Sequence, residues 1–524
     1  MNKKGIIVAA FFAIIMLTSL AAGVLLQNTP ISSENNQVTP TGTPADNFPD
    51  SQRAQFCGSA DAKSTPFVKE YAIPTACTNP LAIVTDYDGN VWFAQTNTGK
   101  LAKFDPNTES FTEFDNAIWP KSARSMIWGL DYSPDGSLWF TDESHDSVWK
   151  FSTQDEKYQV IRYPSEGNSL PQKLKVDGSQ IVINDFTGNK ITFLDPTQSN
   201  DDLRYLSLPS PVNGSVTGDF AIDVDNNVWY TNWIFQQGGV LVKFDQEGYR
   251  NSTANSNGNS LPILDYIEIF QLPFELLTPN GIAASDNGMI WLADTSSSSV
   301  FSFDPATQQF TQYVTSDPKT STYGNSTGII KSPISRPYWI KTNSDDQLVF
   351  NEQTANSIAV LDPKSESLVE YMVPSKNPTW GDCVGISDCG LAQVFDFTIY
   401  GDKIWFTEWV ENNIGVVDTS FPLPFGIELD SKDISLMSGE SKNLSFTISP
   451  QQDLSGVSLI LSDSTDFLDF TSNVSDSFQL DAPRPVDVTI SASDDAIPGK
   501  YKILLGAQIE DVSISKFVTV TILP

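Results

Sequence analysis

Seven residues at equivalent places in a repeated phrase, Gln95, Asp142, Asp185, Asn232, Asp294, Glu352 and Glu408, are the first candidates for chemistry in this chain. Five of the seven are carboxylates. Like charges gathered in one place repel unless a cation, water or a base compensates, and hard divalent ions prefer oxygen donors. Asp142, Asp185, Asp294, Glu352 and Glu408 are therefore expected to hold Mg2+ or Ca2+. The alternative is that each acid accepts hydrogen bonds from turn amides and stays solvated. The chain has 1 histidine, His145, in Thr141-Asp-Glu-Ser-His-Asp146. Carboxylate neighbours there would raise its pKa and orient its ring for work as a base or a ligand, although a solvated turn histidine is the plainer account. No nucleophile elbow, zinc-type histidine pair, P-loop or dinucleotide fingerprint occurs in its required context.

The elements that must position these residues are written in the repeat. It reads Asp88-Gly-Asn-Val-Trp-Phe-Ala-Gln95, Asp135-Gly-Ser-Leu-Trp-Phe-Thr-Asp142, Asp286-Asn-Gly-Met-Ile-Trp-Leu-Ala-Asp294 and Gly401-Asp-Lys-Ile-Trp-Phe-Thr-Glu408, with weaker copies between. Each copy supplies an apolar strand, an Asp/Asn/Gly turn, a Trp-Phe strand, a third strand ending near Phe-Asp-Pro and a fourth resembling Glu-Tyr-x-x-Pro. Short strands at a long, regular period predict four-stranded blades arranged radially. Second strands begin near Val91, Leu138, Gln180, Val228, Ile290, Leu348 and Ile404, which gives seven blades. Trp92, Trp139, Trp229, Trp291 and Trp405 are expected to pack between blades. The third copy, Gln180-Ile-Val-Ile-Asn-Asp185, lacks the Trp, and the polar stretches 251–260 and 315–333 read as surface insertions.

The seventh copy has no fourth strand after Asn412-Asn-Ile-Gly-Val-Val-Asp418, yet one stands before the first as Phe67-Val-Lys-Glu-Tyr-Ala-Ile-Pro74. It matches Leu368-Val-Glu-Tyr-Met-Val-Pro374, so the N-terminal segment is expected to complete the seventh blade and remove two exposed edges. Past Pro424 the phrase vanishes, and alternating runs such as Asn443-Leu-Ser-Phe-Thr-Ile448 and Phe517-Val-Thr-Val-Thr-Ile-Leu523 suggest an immunoglobulin-like β-sandwich. The expected fold is thus all-β, a seven-bladed propeller over 64–423 and a sandwich over 424–524.

Lys3-Lys4 ahead of the uncharged run Gly5–Leu26 predicts a signal anchor over 1–26, a transmembrane helix that exports the rest of the chain; the run is long enough for the roughly 20 residues a bilayer needs. Cleavage near Ser19-Leu-Ala-Ala22 is the alternative, leaving a secreted protein. Residues 27–63 have too few large apolar groups to offset chain entropy and read as a disordered stalk. Together these predict localisation at the cell surface, tethered to the plasma membrane. Sequons at Asn213, Asn251, Asn325, Asn443 and Asn473 suit such a surface. Cys57–Cys77 and Cys383–Cys389 are the most local of three possible disulfide connectivities. A net charge of −33 makes nucleic acid a poor partner and cations good ones.

The phrase Asp-Gly-x-Leu-Trp-Phe-Thr-Glu followed by Asn-x-Ile-Gly, clear in Asp135–Asp142 and in Ile404-Trp-Phe-Thr-Glu-Trp-Val-Glu-Asn-Asn-Ile-Gly415, resembles the repeat of the virginiamycin B lyase (streptogramin lyase) family over roughly 67–420. It is similar, more loosely, to gluconolactonase-type propellers, which hold a divalent metal with channel carboxylates. The resemblance implies a seven-bladed fold, and a lyase that opens a depsipeptide ring with a histidine base and Mg2+ on channel glutamates. Glu408 and Glu352 fall in the position that carries the metal role. The family's histidine positions hold Asn280, Tyr338 and Val394 here, so catalytic candidates reduce to Glu408, Glu352 and His145. The function expected is binding of a small-molecule, polymer or protein ligand at the cell surface on a lyase-like scaffold. A divalent-metal-dependent lyase or lactonase and an architectural surface protein are the alternatives.

Overall fold

The computed structural model describes residues 50–524 apart from 59–60, 121–123, 166, 197–203, 235–236, 257–260, 326–332, 388 and 476. The chain is all-β, with a few short helices between strands. Its local grammar lies in the turn ahead of each Trp-bearing strand. Asp86 accepts the amides of Asp88 and Asn90 and, at 2.9 Å, the indole N–H of Trp92. Asp223 repeats this with the amide of Asn227 and, at 2.7 Å, the indole of Trp229. In these two units one carboxylate closes the turn and orients the large ring; Ser133 and Ser285 take its place ahead of Trp139 and Trp291. Gly89 sits in this turn at φ +82, where a Cβ would come within 2.8 Å of the Tyr400 ring.

Seven innermost strands, Pro80–Thr85, Leu130–Tyr132, Pro171–Asp177, Val216–Ile222, Pro279–Ala284, Pro337–Thr342 and Val394–Tyr400, each open a four-stranded antiparallel unit. Successive units lie side by side and the seventh returns to the first, so they close a circuit around an axis. In the seventh unit, Val394–Tyr400, Lys403–Glu408 and Asn413–Asp418 are joined by Val68–Ala72, with Glu70 opposite Gly415 and Tyr71 opposite Ile414. The N-terminal strand completes that unit as the sequence indicates. Both disulfides, Cys57–Cys77 and Cys383–Cys389, are formed.

Aromatic side chains fill the gaps between units. Trp92 packs on Phe151 at 6.1 Å, Trp229 on Phe303 at 6.2 Å and Trp405 on Phe104 at 5.6 Å, each pair spanning neighbouring units. All three indoles are buried. Each such side chain contributes on the order of 2–3 kcal/mol of burial, so the ring is held by contacts between units as much as by its ladders.

After Pro424 come two further layers. Phe425–Leu429, Ser441–Pro450, Arg484–Ala492 and Leu468–Ser472 form one sheet. Val512–Leu523, Gly499–Gln508, Leu454–Ser462 and Phe478–Leu480 form the other, with Asp433–Met437 parallel to Val512–Leu523. Phe446, Ile448, Val486, Val488, Val518 and Val520 fill the space between. The second sheet also pairs with the outer strand of the sixth unit, Ser367–Met372, setting Val369 opposite Ile514 and Glu370 opposite Ser513. The pairing covers an edge that would otherwise present open N–H and C=O groups.

The expectation of a plasma-membrane anchor, and of a tethered location resting on it, is corrected here. Among the described residues no helix is long and apolar enough to cross a membrane. Residues 1–26 and most of the stalk at 27–63 lie outside the described residues.

Candidate functional site

The five predicted metal ligands all end their second strands, and all are fully buried. They do not come together. Asp142 accepts Ser125 Oγ at 2.5 Å, Trp149 Nε1 at 3.2 Å and His145 Nδ1 at 2.8 Å. Asp185 takes the amides of Leu170 and Gly188, and Asp294 takes those of Thr278 and Ser296 with the hydroxyl of Ser297. Glu352 accepts Ser357 Oγ at 2.7 Å and Glu408 accepts Asn413 Nδ2 at 2.9 Å. Among the described residues no group of three or more His, Cys, Asp or Glu is placed to hold a metal ion. The donor set does not fit Mg2+ or Ca2+, because each acid already closes a loop beside its own strand.

Glu352 and Glu408 each lie against a second carboxyl, Glu370 and Glu70 respectively. Among the described residues Oε1 of Glu352 and Oε1 of Glu408 have no hydrogen-bond partner within normal distance. Burial, reinforced by the facing charge, pushes Glu370 up to about 8 and Glu408 well above the usual carboxylate range.

His145 follows its own second strand, in the short turn Glu143–His145. Its ring is held by Asp142, lies edge-on to Trp119 at 5.6 Å and is about one-third exposed at 32%. The hydrogen bond to Asp142 raises its pKa. Of the places that would carry family histidines, Asn280 donates to Thr295 Oγ1 at 3.0 Å, Val394 is buried, and Tyr338 belongs to an aromatic plug.

That plug closes one mouth of the axis. Trp128, Tyr338 and Phe395 come from the second, sixth and seventh units, and their rings meet at 5.5 Å for Trp128 with Phe395 and 6.4 Å for the other two pairs. Trp128 donates its indole N–H to Glu143 at 2.6 Å, whose carboxyl burial pushes up to about 8. Phe395 continues into Trp409, and Trp409 into Phe56 of the short helix Asp50–Phe56. The last carbonyls of that helix accept from Asn377, Trp380 and Asn79. Asn79, Arg336 and Gln393, just ahead of the first, sixth and seventh innermost strands, hold φ of 50, 61 and 56, a backbone state that non-glycine residues keep only when packing enforces it.

Beneath the plug is a cavity of about 360 Å³ lined by all seven innermost strands. Its closed end carries a crossbar: Lys173 reaches from the third unit to Asp396 of the seventh at 3.0 Å, with its ammonium 4.4 Å from the Trp339 ring centre. Lys341 meets the same Asp396 oxygen at 3.3 Å and also donates to the carbonyl of Phe397. Asp219 and Asp131 line the same cavity. Burial pushes Asp219 up to about 6 and raises Asp131, and it lowers Lys341. Sequence reasoning missed these five residues. The available signal was a set of isolated charges inside apolar innermost strands, as in Gln172-Lys-Leu, Gly218-Asp-Phe, Ile340-Lys-Thr and Phe395-Asp-Phe.

The fold and this axial arrangement define the class: a β-propeller. Among solved structures the chain is similar to one described as streptogramin B lyase, at 20% identity and a TM-score of 0.50, covering 67% of this chain and 96% of that one. It is also similar to selenomethionine-substituted virginiamycin B lyase from Staphylococcus aureus, at 19% identity and a TM-score of 0.50, covering 68% and 99%. At such identities the likeness speaks for the fold. No protein-family model matches the chain, and no curated protein matches it in sequence.

Proposed function

We propose that this protein is a binding module, a seven-bladed propeller followed by an immunoglobulin-like sandwich, that receives a small polar ligand in its axial cavity. The observation that carries this reading is the Lys173–Asp396–Lys341 cluster at the closed end of a cavity of about 360 Å³. That volume falls within the few hundred Å³ typical of small-molecule sites, and converging polar groups are what fix a ligand's orientation. A lyase on this scaffold finds less support. The two similar structures are lyases by name, but here Tyr338 packs in a plug, Asn280 and Val394 offer no base, and the carboxyls of Glu352 and Glu408 face other carboxyls.

A protein partner docking at the open mouth is a second reading. Tyr87 is 68% exposed and Tyr400 43%, and Tyr87 stacks edge-on with Tyr132 at 5.4 Å, an aromatic cluster suited to a contact surface.

A thermal-shift screen of small polar metabolites against the full chain and its Lys341→Met variant tests the ligand reading. Compounds that stabilise the parent and not the variant support it; hits that stabilise both equally, or no hits, contradict it.

A further inference from the structure

The walls of the cavity carry opposite charges in two places. At the closed end two ammonium groups share the single carboxylate of Asp396, whose oxygens also take the amides of Phe397 and Ile83. An ammonium has three N–H donors; Lys173 spends one on Asp396, and Lys341 spends two on Asp396 and the Phe397 carbonyl. Both ammonium groups keep N–H donors to spare. Asp219 and Asp131 form the second pole. Asp219 accepts the amide of its own neighbour Phe220 at 2.8 Å, and Asp131 the amides of Tyr132 and Val176. Among the described residues neither carboxylate accepts a hydrogen bond from a lysine, so both keep accepting capacity; burial raises both, opposed by the charges of Lys173 and Lys341 at Asp219 and of Lys175 and Lys341 at Asp131. Lys175 also lines the cavity, with an exposed side chain.

A simple anion drawn to Lys173 and Lys341 meets repulsion from Asp219 and Asp131, and a simple cation meets the reverse. A molecule bearing both signs satisfies both ends. We infer that the cavity binds a small dipolar compound carrying a carboxylate and an ammonium group, the carboxylate toward Lys173 and Lys341 and the ammonium toward Asp219 and Asp131. This rests on the ligand-binding reading above and adds the ligand's chemical class.

Calorimetric titration of the full chain at neutral pH with glycine, 4-aminobutyrate and lysine, beside acetate, ethylamine and glycerol, tests it. The expected result is binding of at least one amino-acid probe about tenfold tighter than acetate or ethylamine, with that margin lost in Asp219→Asn and in Lys341→Met. Asp131→Asn serves as a second reporter if either variant unfolds. Acetate, ethylamine or glycerol binding as tightly as the amino acids, with sensitivity to Lys341→Met, overturns the dipolar class and leaves the cavity as a ligand site. Absence of binding by all six probes, or amino-acid binding indifferent to these substitutions, overturns the inference; the metabolite screen then judges the broader reading separately.

Discussion

Ser375 donates both its amide, at 3.0 Å, and its hydroxyl, at 2.6 Å, to the carboxylate of Glu70, 305 positions earlier in the chain. The contact ties the exit of the sixth unit to the strand that completes the seventh. Two neighbours repeat it. Ser316 donates amide and hydroxyl to Glu370, and Thr75 donates its hydroxyl to Glu113 at 2.6 Å. In each case the fourth-strand glutamate also faces the residue ending its own second strand: Glu408, Glu352 and Gln95 respectively. The repeated acids thus work as latches between units.

Glu70→Ala is expected to lower stability by about 2–3 kcal/mol, since it strands the buried amide of Ser375 beside Glu408. Glu70→Gln is expected to lose under about 1 kcal/mol, because an amide facing a carboxylate is the pairing that Gln95 and Glu113 already use at 2.7 Å. Urea midpoints of the two variants check this; equal losses would count against the latch.

Stability is expected to fall as pH rises from about 5 to about 8. Glu143 and Glu370 are pushed up to about 8, so across this window the folded chain holds protons that the unfolded chain has released. With more protons bound when folded, the slope of unfolding free energy against pH is negative. For Glu143 alone the full change is on the order of 4 kcal/mol. His145, also raised, acts in the same direction, its stabilisation being lost as pH passes its folded pKa. Denaturation curves at stepped pH should show the decline, and Glu143→Gln should flatten it; a flat parent profile would refute the assignment.

In the axial cavity, Asp396→Asn is expected to cost about 3 kcal/mol and Lys341→Met clearly less. The first removes the carboxylate that both ammonium groups hydrogen-bond, whereas the second leaves Lys173 paired with Asp396. Chemical denaturation of both variants gives the order, and the reverse order would contradict the crossbar.

Chelator treatment, or added Mg2+ or Ca2+, is expected to leave the melting temperature within about 1 °C. Asp142, Asp185, Asp294, Glu352 and Glu408 are each committed to separate hydrogen bonds. A specific ion bound well above its Kd would raise the melting temperature by mass action. Such a rise, abolished by Glu408→Gln, would show that a metal site exists after all.

Features of this chain are legible in its sequence to the extent that they are locally encoded. In two units the turn Asp and strand Trp lie six residues apart and hydrogen-bond directly, Asp86 with Trp92 and Asp223 with Trp229, and the Trp-bearing phrase around them marks the repeat. The closing strand was visible because Glu70-Tyr71 repeats Glu370-Tyr371. The position of Glu352 and Glu408 at strand ends was equally plain, but their surroundings were not. Their facing acids sit on fourth strands, and Glu70 lies near the opposite end of the domain, so a metal ring and buried acid pairs share one pattern. The pairing of Val512–Leu523 with Ser367–Met372 had no signal, since any alternating strand can cover an open edge. The crossbar was invisible for a related reason: Lys173, Lys341 and Asp396 lie on innermost strands of different units, outside the repeated phrase.

The most direct test is a crystal structure of the full chain with the strongest screening hit. Ligand density in the axial cavity, contacting Lys341 Nζ on the open side of the Lys173–Asp396 crossbar, is the predicted result. Density on the outer surface or in the sandwich, with the cavity holding solvent alone, would contradict the proposal that this propeller binds its ligand on the axis.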